Sequence, residues 1–357
     1  MSNHPTSAIE LDDQPVGVIG SGNFGTVMAN LLAENRNVWM YTRRQEVVDA
    51  IEQQRLHRGQ AMNPRIRAVT DLAEMARNCT LIFPMLPSKF FREAMRQIGP
   101  HLTPAHILIH GTKGLDVQLP QFESNDIREF KLGLHQVKRM SQVISEESCV
   151  MRIGCISGPN LSAEISRHLP AGTVIASRFN EVIEEGKAAL RSERFMVFEN
   201  NDLVGVEMAG VLKNILALGS GMVTGLGLGE NARALMITRG WRELMRIGEL
   251  FGSDKNAFMG LAGIGDMIAT CSSPLSRNFD VGFRLAKGES LTDIVATMDE
   301  VAEGVNTVKT AMALIRHFGI PSPLIKSFHL VLFENVPIKD AIKQLLSHKH
   351  GPDVDFL

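Results

Sequence analysis

Cysteine is scarce in this 357-residue chain: only Cys79, Cys149, Cys155 and Cys271, with no CxxC pair and no histidines at metal-site spacing. That argues against a disulfide framework or a metal centre and points to a reduced, cytoplasmic setting. Cys79 and Cys155 adjoin or lie in apolar strand-like runs and read as buried thiols. Cys271 lacks an obvious base partner in sequence, which disfavours a nucleophilic role. Excess charge is missing too. Lys plus Arg number 37 against 39 Asp plus Glu, for a net charge of −2, so no basic excess supports a nucleic-acid partner. An anionic ligand would need a local cationic pocket. Residues 1–13 are short, polar and acidic, unlike a secretory signal, and no apolar run approaches the ~20 residues of a membrane span. Repeats and low-complexity tracts are absent. What remains is an ordinary globular composition, 44% apolar and 21% charged. Its length suggests two domains.

The first informative feature is Val16-Gly-Val-Ile-Gly20-Ser-Gly22-Asn-Phe-Gly25, a short apolar strand entering three glycines at dinucleotide-binding spacing. Gly20 allows the tight turn, Gly22 lets backbone approach a pyrophosphate, and Gly25 lets the next helix pack closely. N–H groups at that helix start would face the anion. After the second strand, Val38–Tyr41, an acidic residue commonly contacts the ribose hydroxyls of NAD. Here Thr42-Arg43-Arg44 stands instead, and two cations suit a 2′-phosphate. The expected cofactor is therefore NADP or NAD, with NADPH favoured.

Strand signals at 80–86, 107–110, 152–156, 173–176 and 195–198 alternate with helical segments, among them 45–56, and a polar segment surrounds Asn63-Pro64-Arg65. This pattern predicts βαβ units and a mostly parallel, doubly wound sheet, α/β in class. Ligand loops should lie beyond strand carboxyl ends, at 20–25, 87–90 (including Phe90), 111–114 and 158–160. From about Asn201 strand signals fade and helical spacing takes over at 203–218 and 232–251. The expected division is a dinucleotide-binding domain over 1–200 and an all-helical substrate domain over 201–357. Residues 116–150 read as a helix with irregular flanks. The glycines between Gly219 and Gly229 suit either a ligand-facing loop or helix packing, with packing favoured.

Four polar groups carry candidate chemistry. Lys113, between glycines at a strand end, points to a substrate oxygen, or equally to a solvated surface lysine. Lys213 lies in a helix apolar almost all round. Such a helix is buried, and a buried lysine is paired or has a lowered pKa, which suits general acid–base work. A structural ion pair with Glu207 or another carboxylate is the plainer reading. Asp266 enters a helix after a glycine-rich turn and shares a face with Thr270, so it suits orienting Lys213, or capping its own helix. Ser276-Arg277-Asn278 offers a hydroxyl, a planar cation and an amide, the groups that hold a phosphate, although it is also a common helix start. His110 reads as a strand-end residue.

Taken in order, these segments resemble the bacterial-type NAD(P)-dependent glycerol-3-phosphate dehydrogenases, from about Val16 to His348. The most specific stretches are 19–29, 111–115, Ser157-Gly-Pro-Asn160 with Glu164, 206–214, 225–240 and 260–278. The resemblance implies a Rossmann domain, a helical substrate domain and commonly a homodimer. It implies reversible reduction of dihydroxyacetone phosphate to sn-glycerol 3-phosphate without a metal, supplying phospholipid synthesis in the cytoplasm. Lys213 takes the proton donor/acceptor position, and Lys113 takes the substrate lysine. Substrate contacts fall on Gly158, Asn160, Asp266, Ser276, Arg277 and Asn278. Cofactor contacts fall on Asn23, Phe24, Phe90, Lys113, Ser162, Arg277, Val301 and Glu303, beside the glycine turn and Arg43-Arg44. Asn160 stands where many members have Thr, Ser162 where many have Ala, and the segment from Asp116 to Ser148 is longer than usual. A β-hydroxyacid or 6-phosphogluconate dehydrogenase is the nearest rival. A dinucleotide-sensing module without turnover would leave Lys113, Lys213 and Asp266 without purpose.

Overall fold

The computed structural model describes residues 14–117, 132–298 and 302–347. Val301 and residues 118–131 of the long Asp116–Ser148 segment lie outside the described residues. The chain divides into two compact units, Met1–Asp116 with Lys138–Glu207, and Val117–Val137 with Met208–Leu357.

The strands are β1 Val16–Ile19, β2 Val38–Tyr41, β3 Leu56–His57, β4 Gln60–Ala61, β5 Ile66–Val69, β6 Leu81–Pro84, β7 Ile107–His110, β8 Asp116–Val117, β9 Val137–Lys138, β10 Arg152–Ser157, β11 Ala171–Ser177 and β12 Phe195–Asn200. Eight of them form one sheet in the order β12-β11-β10-β7-β6-β1-β2-β5. All neighbouring pairs are parallel except β10 with β11. The doubly wound sheet expected from the strand–helix alternation is present. Successive side chains along each central strand enter opposite cores. Val16, Val18, Phe83, Ile107 and Ile109 belong to one, and Ile19, Ile82 and Leu108 to the other. Burial on both faces explains why these strands read as unbroken apolar runs.

Helices of this unit are α1 Asn23–Leu32, α2 Gln45–Asp49, α3 Leu72–Asn78, α4 Ser88–Ile98, α5 Met140–Glu147, α6 Ser162–Ile165 and α7 Asn180–Leu190. One local expectation is corrected, and one strand is added. The helix expected over 45–56 stops as α at Asp49, continues as a wider π turn over Ala50–Gln54, and gives way to the β3–β4 ribbon. The polar segment at Asn63–Arg65 leads into an edge strand, β5, whose Arg67 stacks 4.5 Å over the Trp39 ring. From β1 the chain winds outward to β2 and β5, then returns to build β6, β7 and β10 on the other side. That reversal beside β1 is where open α/β sheets form their ligand crevice.

The second unit carries most of α8 (Leu203–Gly225, which it enters at Met208), then α9 Glu230–Leu250, α10 Lys255–Met259, α11 Asp266–Ser272, α12 Arg277–Ala286, α13 Leu291–Ala296, α14 Glu303–Phe318, α15 Pro323–Phe333 and α16 Ile338–Ser347. Gly219 to Gly225 continue α8 instead of forming a loop, and they serve packing. A Cβ on Gly221 would lie 2.0 Å from the Phe279 carbonyl oxygen, and one on Gly282 1.9 Å from that of Leu218. Backbone-to-backbone approach of α8 and α12 thus requires glycine on both helices. Contrary to expectation, α8 is long and apolar enough to span a bilayer by length and composition; its apolar window is wholly buried in the protein, as in a core helix.

Candidate active site

In the first unit the glycine turn is closed by sterics. Gly20 has φ +123°, and a Cβ there would come within 2.4 Å of the Met85 carbonyl oxygen. A Cβ on Gly25 would come within 2.1 Å of the Gly20 carbonyl oxygen. Only hydrogen fits at both positions, so α1 begins hard against the sheet with its first N–H groups at the turn, a cradle that fits a dinucleotide pyrophosphate. Gly22 holds ordinary extended backbone as the residue before α1, which starts at Asn23 and Phe24. The Ser21 hydroxyl lies 3.1 Å from that of Thr42, tying the turn to the end of β2. Arg43 and Arg44 follow, both exposed. The Arg43 guanidinium sits 6.0 Å from the centroid of the Phe90 ring, and Arg44 lies 4.0 Å from Glu46.

Lys113 follows β7 and donates from Nζ to the Gly158 carbonyl oxygen at 3.0 Å. Gly158 has φ +150° after β10. Asn160 donates to the Thr173 hydroxyl at 2.8 Å, while its buried Oδ1 has no hydrogen-bond partner among the described residues. Ser162 opens the short helix α6. Lys113, Gly158 and Asn160 therefore gather at the carboxyl ends of β7 and β10.

His110 is more than a strand-end residue. Its Nε2 lies 3.0 Å from Glu207 Oε1, and Glu207 also accepts from Arg139 Nη1 at 2.5 Å, the Ser141 amide at 2.9 Å and the Ser141 hydroxyl at 2.6 Å. Burial alone would raise the Glu207 carboxyl; the His110 ring, the Arg139 guanidinium and Ser141 outweigh it and hold the pKa at about 2. Nothing local in the sequence links these residues, which come from β7, α8 and the start of α5.

In the second unit Lys213 is 4% exposed and Asp266 2%. Nζ donates to Asp266 Oδ1 at 2.5 Å and to the Thr270 hydroxyl. Thr270 in turn donates to the Asp266 carbonyl oxygen at 2.6 Å, the one-turn relation anticipated from spacing. Asp266 is the first residue of α11, directly after a π turn, Leu261–Gly265, and Gly265 holds the N-cap position. The result is a buried ammonium with its carboxylate and hydroxyl fixed around it, which suits controlled proton transfer.

Ser276 caps α12 by accepting from the Phe279 amide at 3.3 Å, and Arg277 is the first residue of that helix. Asn278 is buried. It donates to Asn214 Oδ1 at 3.0 Å and accepts from the Gly304 amide at 2.9 Å, joining α8, α12 and the start of α14 next to Glu303. Asn214, beside Lys213, was not singled out from the sequence. Cys271 is buried, and burial pushes its thiol up to about 12, so it stays protonated and inert. Cys79 and Cys155 are buried as expected. Among the described residues no three His, Cys, Asp or Glu side chains group as metal ligands.

Two family models match the chain: the N-terminus of NAD-dependent glycerol-3-phosphate dehydrogenase over residues 15–183, and its C-terminus over 202–343. The chain belongs to this family. A glycerol-3-phosphate dehydrogenase [NAD(P)+] from Pseudomonas fluorescens SBW25 is 39% identical over 351 residues, covering 97% of this chain and 98% of the relative. The crystal structure of the Coxiella burnetii glycerol-3-phosphate dehydrogenase is similar with a TM-score of 0.82 at 29% identity, covering 94% of this chain and 99% of that one. The yeast glycerol-3-phosphate dehydrogenase gives 0.79 at 25% identity, covering 93% and 99%. The N-terminal family model falls mainly on the first unit and the C-terminal one mainly on the second, which carries the Lys213 pair.

Proposed function

We propose that this chain catalyses the NAD(P)-dependent, reversible reduction of dihydroxyacetone phosphate to sn-glycerol 3-phosphate, with Lys213 as proton donor and acceptor. The observation that carries this reading is the buried Lys213–Asp266–Thr270 set in a chain of the glycerol-3-phosphate dehydrogenase family. Gly20, Gly22, Asn23, Phe24 and Gly25, with Arg43, Arg44, Phe90 and Ser162, would hold the dinucleotide. When bound, its dihydronicotinamide supplies the hydride. Lys213 delivers a proton to the carbonyl oxygen as that atom gains negative charge, and recovers it in the reverse direction. Asp266 and Thr270 fix the direction of Nζ, so orientation is settled before reaction. Lys113 offers a further cation to the substrate oxygen. Ser276, Arg277 and Asn278 engage the phosphate, with Asn278 also bracing Asn214, so that remote binding energy becomes orientation at the reacting carbon. Glu303 belongs to the cofactor contacts at the α14 start. Arg43 and Arg44 favour NADPH over NADH. A homodimer in the cytoplasm, feeding phospholipid synthesis, completes the proposal.

The test is dihydroxyacetone phosphate reduction followed with NADPH and NADH in parallel. Substrate-dependent oxidation of either supports the proposal. Oxidation of neither, or equal turnover of unphosphorylated dihydroxyacetone, defeats it.

A further inference from the structure

The β3–β4 ribbon turns tightly through Arg58 and Gly59, with φ of +51° and +71°. A two-residue hairpin turn with both angles positive favours Asn-Gly, because an ordinary side chain is strained there. Arginine occupies the strained position, and strain held in place is a pointer to function. Its guanidinium explains what the strain achieves. Arg58 Nε donates to the Ser21 carbonyl oxygen at 3.0 Å, and Nη1 donates to Asn23 Oδ1 at 3.2 Å. The side chain is thus pinned on the glycine turn, one contact on each side of Gly22. Those two bonds use two of the five N–H donors of an arginine fork, and the residue is exposed.

Ser21 connects this cation to the other two. Its hydroxyl meets Thr42, immediately before Arg43 and Arg44. The neighbouring His57 places Nε2 3.0 Å from the same Ser21 carbonyl oxygen. Burial lowers the proton affinity of His57, and both Arg58 and Arg44 lower it further, so the two arginines act on one ring. Arg58 and Arg44, from two separate segments, therefore both act at His57 on the rim of the glycine turn, and Arg43 precedes Arg44 at the end of β2. In sheets of this kind that rim receives the adenosine ribose.

We infer that Arg58 is a specificity-determining residue that completes, with Arg43 and Arg44, a seat for the 2′-phosphate of NADPH. Its remaining N–H donors form a fork that suits phosphate oxygens, and its anchor on Ser21 and Asn23 orients that fork before the cofactor arrives. The ribbon is therefore part of cofactor selection. This inference rests on the dinucleotide-reductase reading above.

Arg58→Asn tests it, because asparagine tolerates the left-handed turn while removing the cation. Direct binding of NADPH, NADH, 2′,5′-ADP and ADP is measured by calorimetry on wild type, Arg58→Asn and Arg58→Lys, with thermal unfolding to check the fold. Loss of about tenfold or more for NADPH and 2′,5′-ADP is expected in Arg58→Asn, with less than about twofold for NADH and ADP. Arg58→Lys should recover part of the loss, since it keeps a point charge without the fork. Equal weakening of all four ligands would mean that Arg58 only holds the turn, and would overturn the inference, as would no weakening at all. A wild type that binds NADPH but does not reduce dihydroxyacetone phosphate would defeat the proposed reaction and leave this comparison readable.

Discussion

Removing Asp266 while keeping Lys213 leaves a cation in a site with almost no solvent. The two groups are 2.5 Å apart, with side chains only 5% and 2% exposed. At an effective dielectric of about 20 their attraction is roughly 7 kcal/mol. Each ion has also lost several kcal/mol of hydration on burial. Asp266→Asn forfeits the attraction and retains the burial cost of Lys213, so a destabilisation of about 3–5 kcal/mol is expected. Lys213→Met should cost a similar amount by stranding the carboxylate. The double variant removes both charges and both hydration costs, so it should lie within about 1–2 kcal/mol of wild type. Urea unfolding, monitored on the helical signal and checked for coincidence by fluorescence, measures the three midpoints. Costs that simply add in the double variant would refute the reasoning, because they would mean that the charges do not depend on each other.

Other consequences follow from the same contacts. The Glu207 carboxyl is held at about 2, below its ordinary 4.5. Its stabilisation is fully present above pH 4.5 and is lost as pH falls toward 2. It amounts to about 3 kcal/mol, and Glu207→Gln should remove that part of the acid-unfolding slope. Glu243 behaves oppositely: burial raises it to about 7, although the Leu324 and Ile325 amides at the start of α15 favour its charged form. Stability from this site is present below pH 4.5 and declines as pH rises through 7, so Glu243→Gln should flatten the denaturation midpoint over that range. Gly282→Ala forces α12 away from the Leu218 carbonyl. A loss of roughly 1–3 kcal/mol in thermal or urea unfolding is expected, and an unchanged midpoint would contradict the close crossing.

The sequence spelled out features that act locally. Three glycines after an apolar strand marked the turn, and unbroken apolar runs marked strands buried on both faces. A lysine inside an apolar helix marked a paired charge, and the one-turn spacing of Asp266 and Thr270 anticipated their shared contact with it. Long-range pairings left no such trace. Arg58 reaches Ser21 only because a π turn ends α2 early and a ribbon doubles back. Glu207 meets His110 and Arg139 across 97 and 68 residues of chain. The strand at Ile66–Val69 carries a weak signal because its arginine faces outward at a sheet edge, diluting the apolar run. The Gly219–Gly225 stretch favours packing but leaves a loop open, because the close helix crossing that requires glycine is set by α12, far along the chain.

The central claim is that Lys213 transfers the proton in a dinucleotide-dependent reduction of dihydroxyacetone phosphate. The most direct measurement compares wild type with Lys213→Met for substrate-dependent NADPH and NADH oxidation, alongside cofactor affinity measured by calorimetry. Wild type should turn over, and the variant should lose about 100-fold or more in kcat while cofactor Kd changes little. Near-normal turnover in Lys213→Met, or no turnover in wild type with either cofactor, would contradict the account.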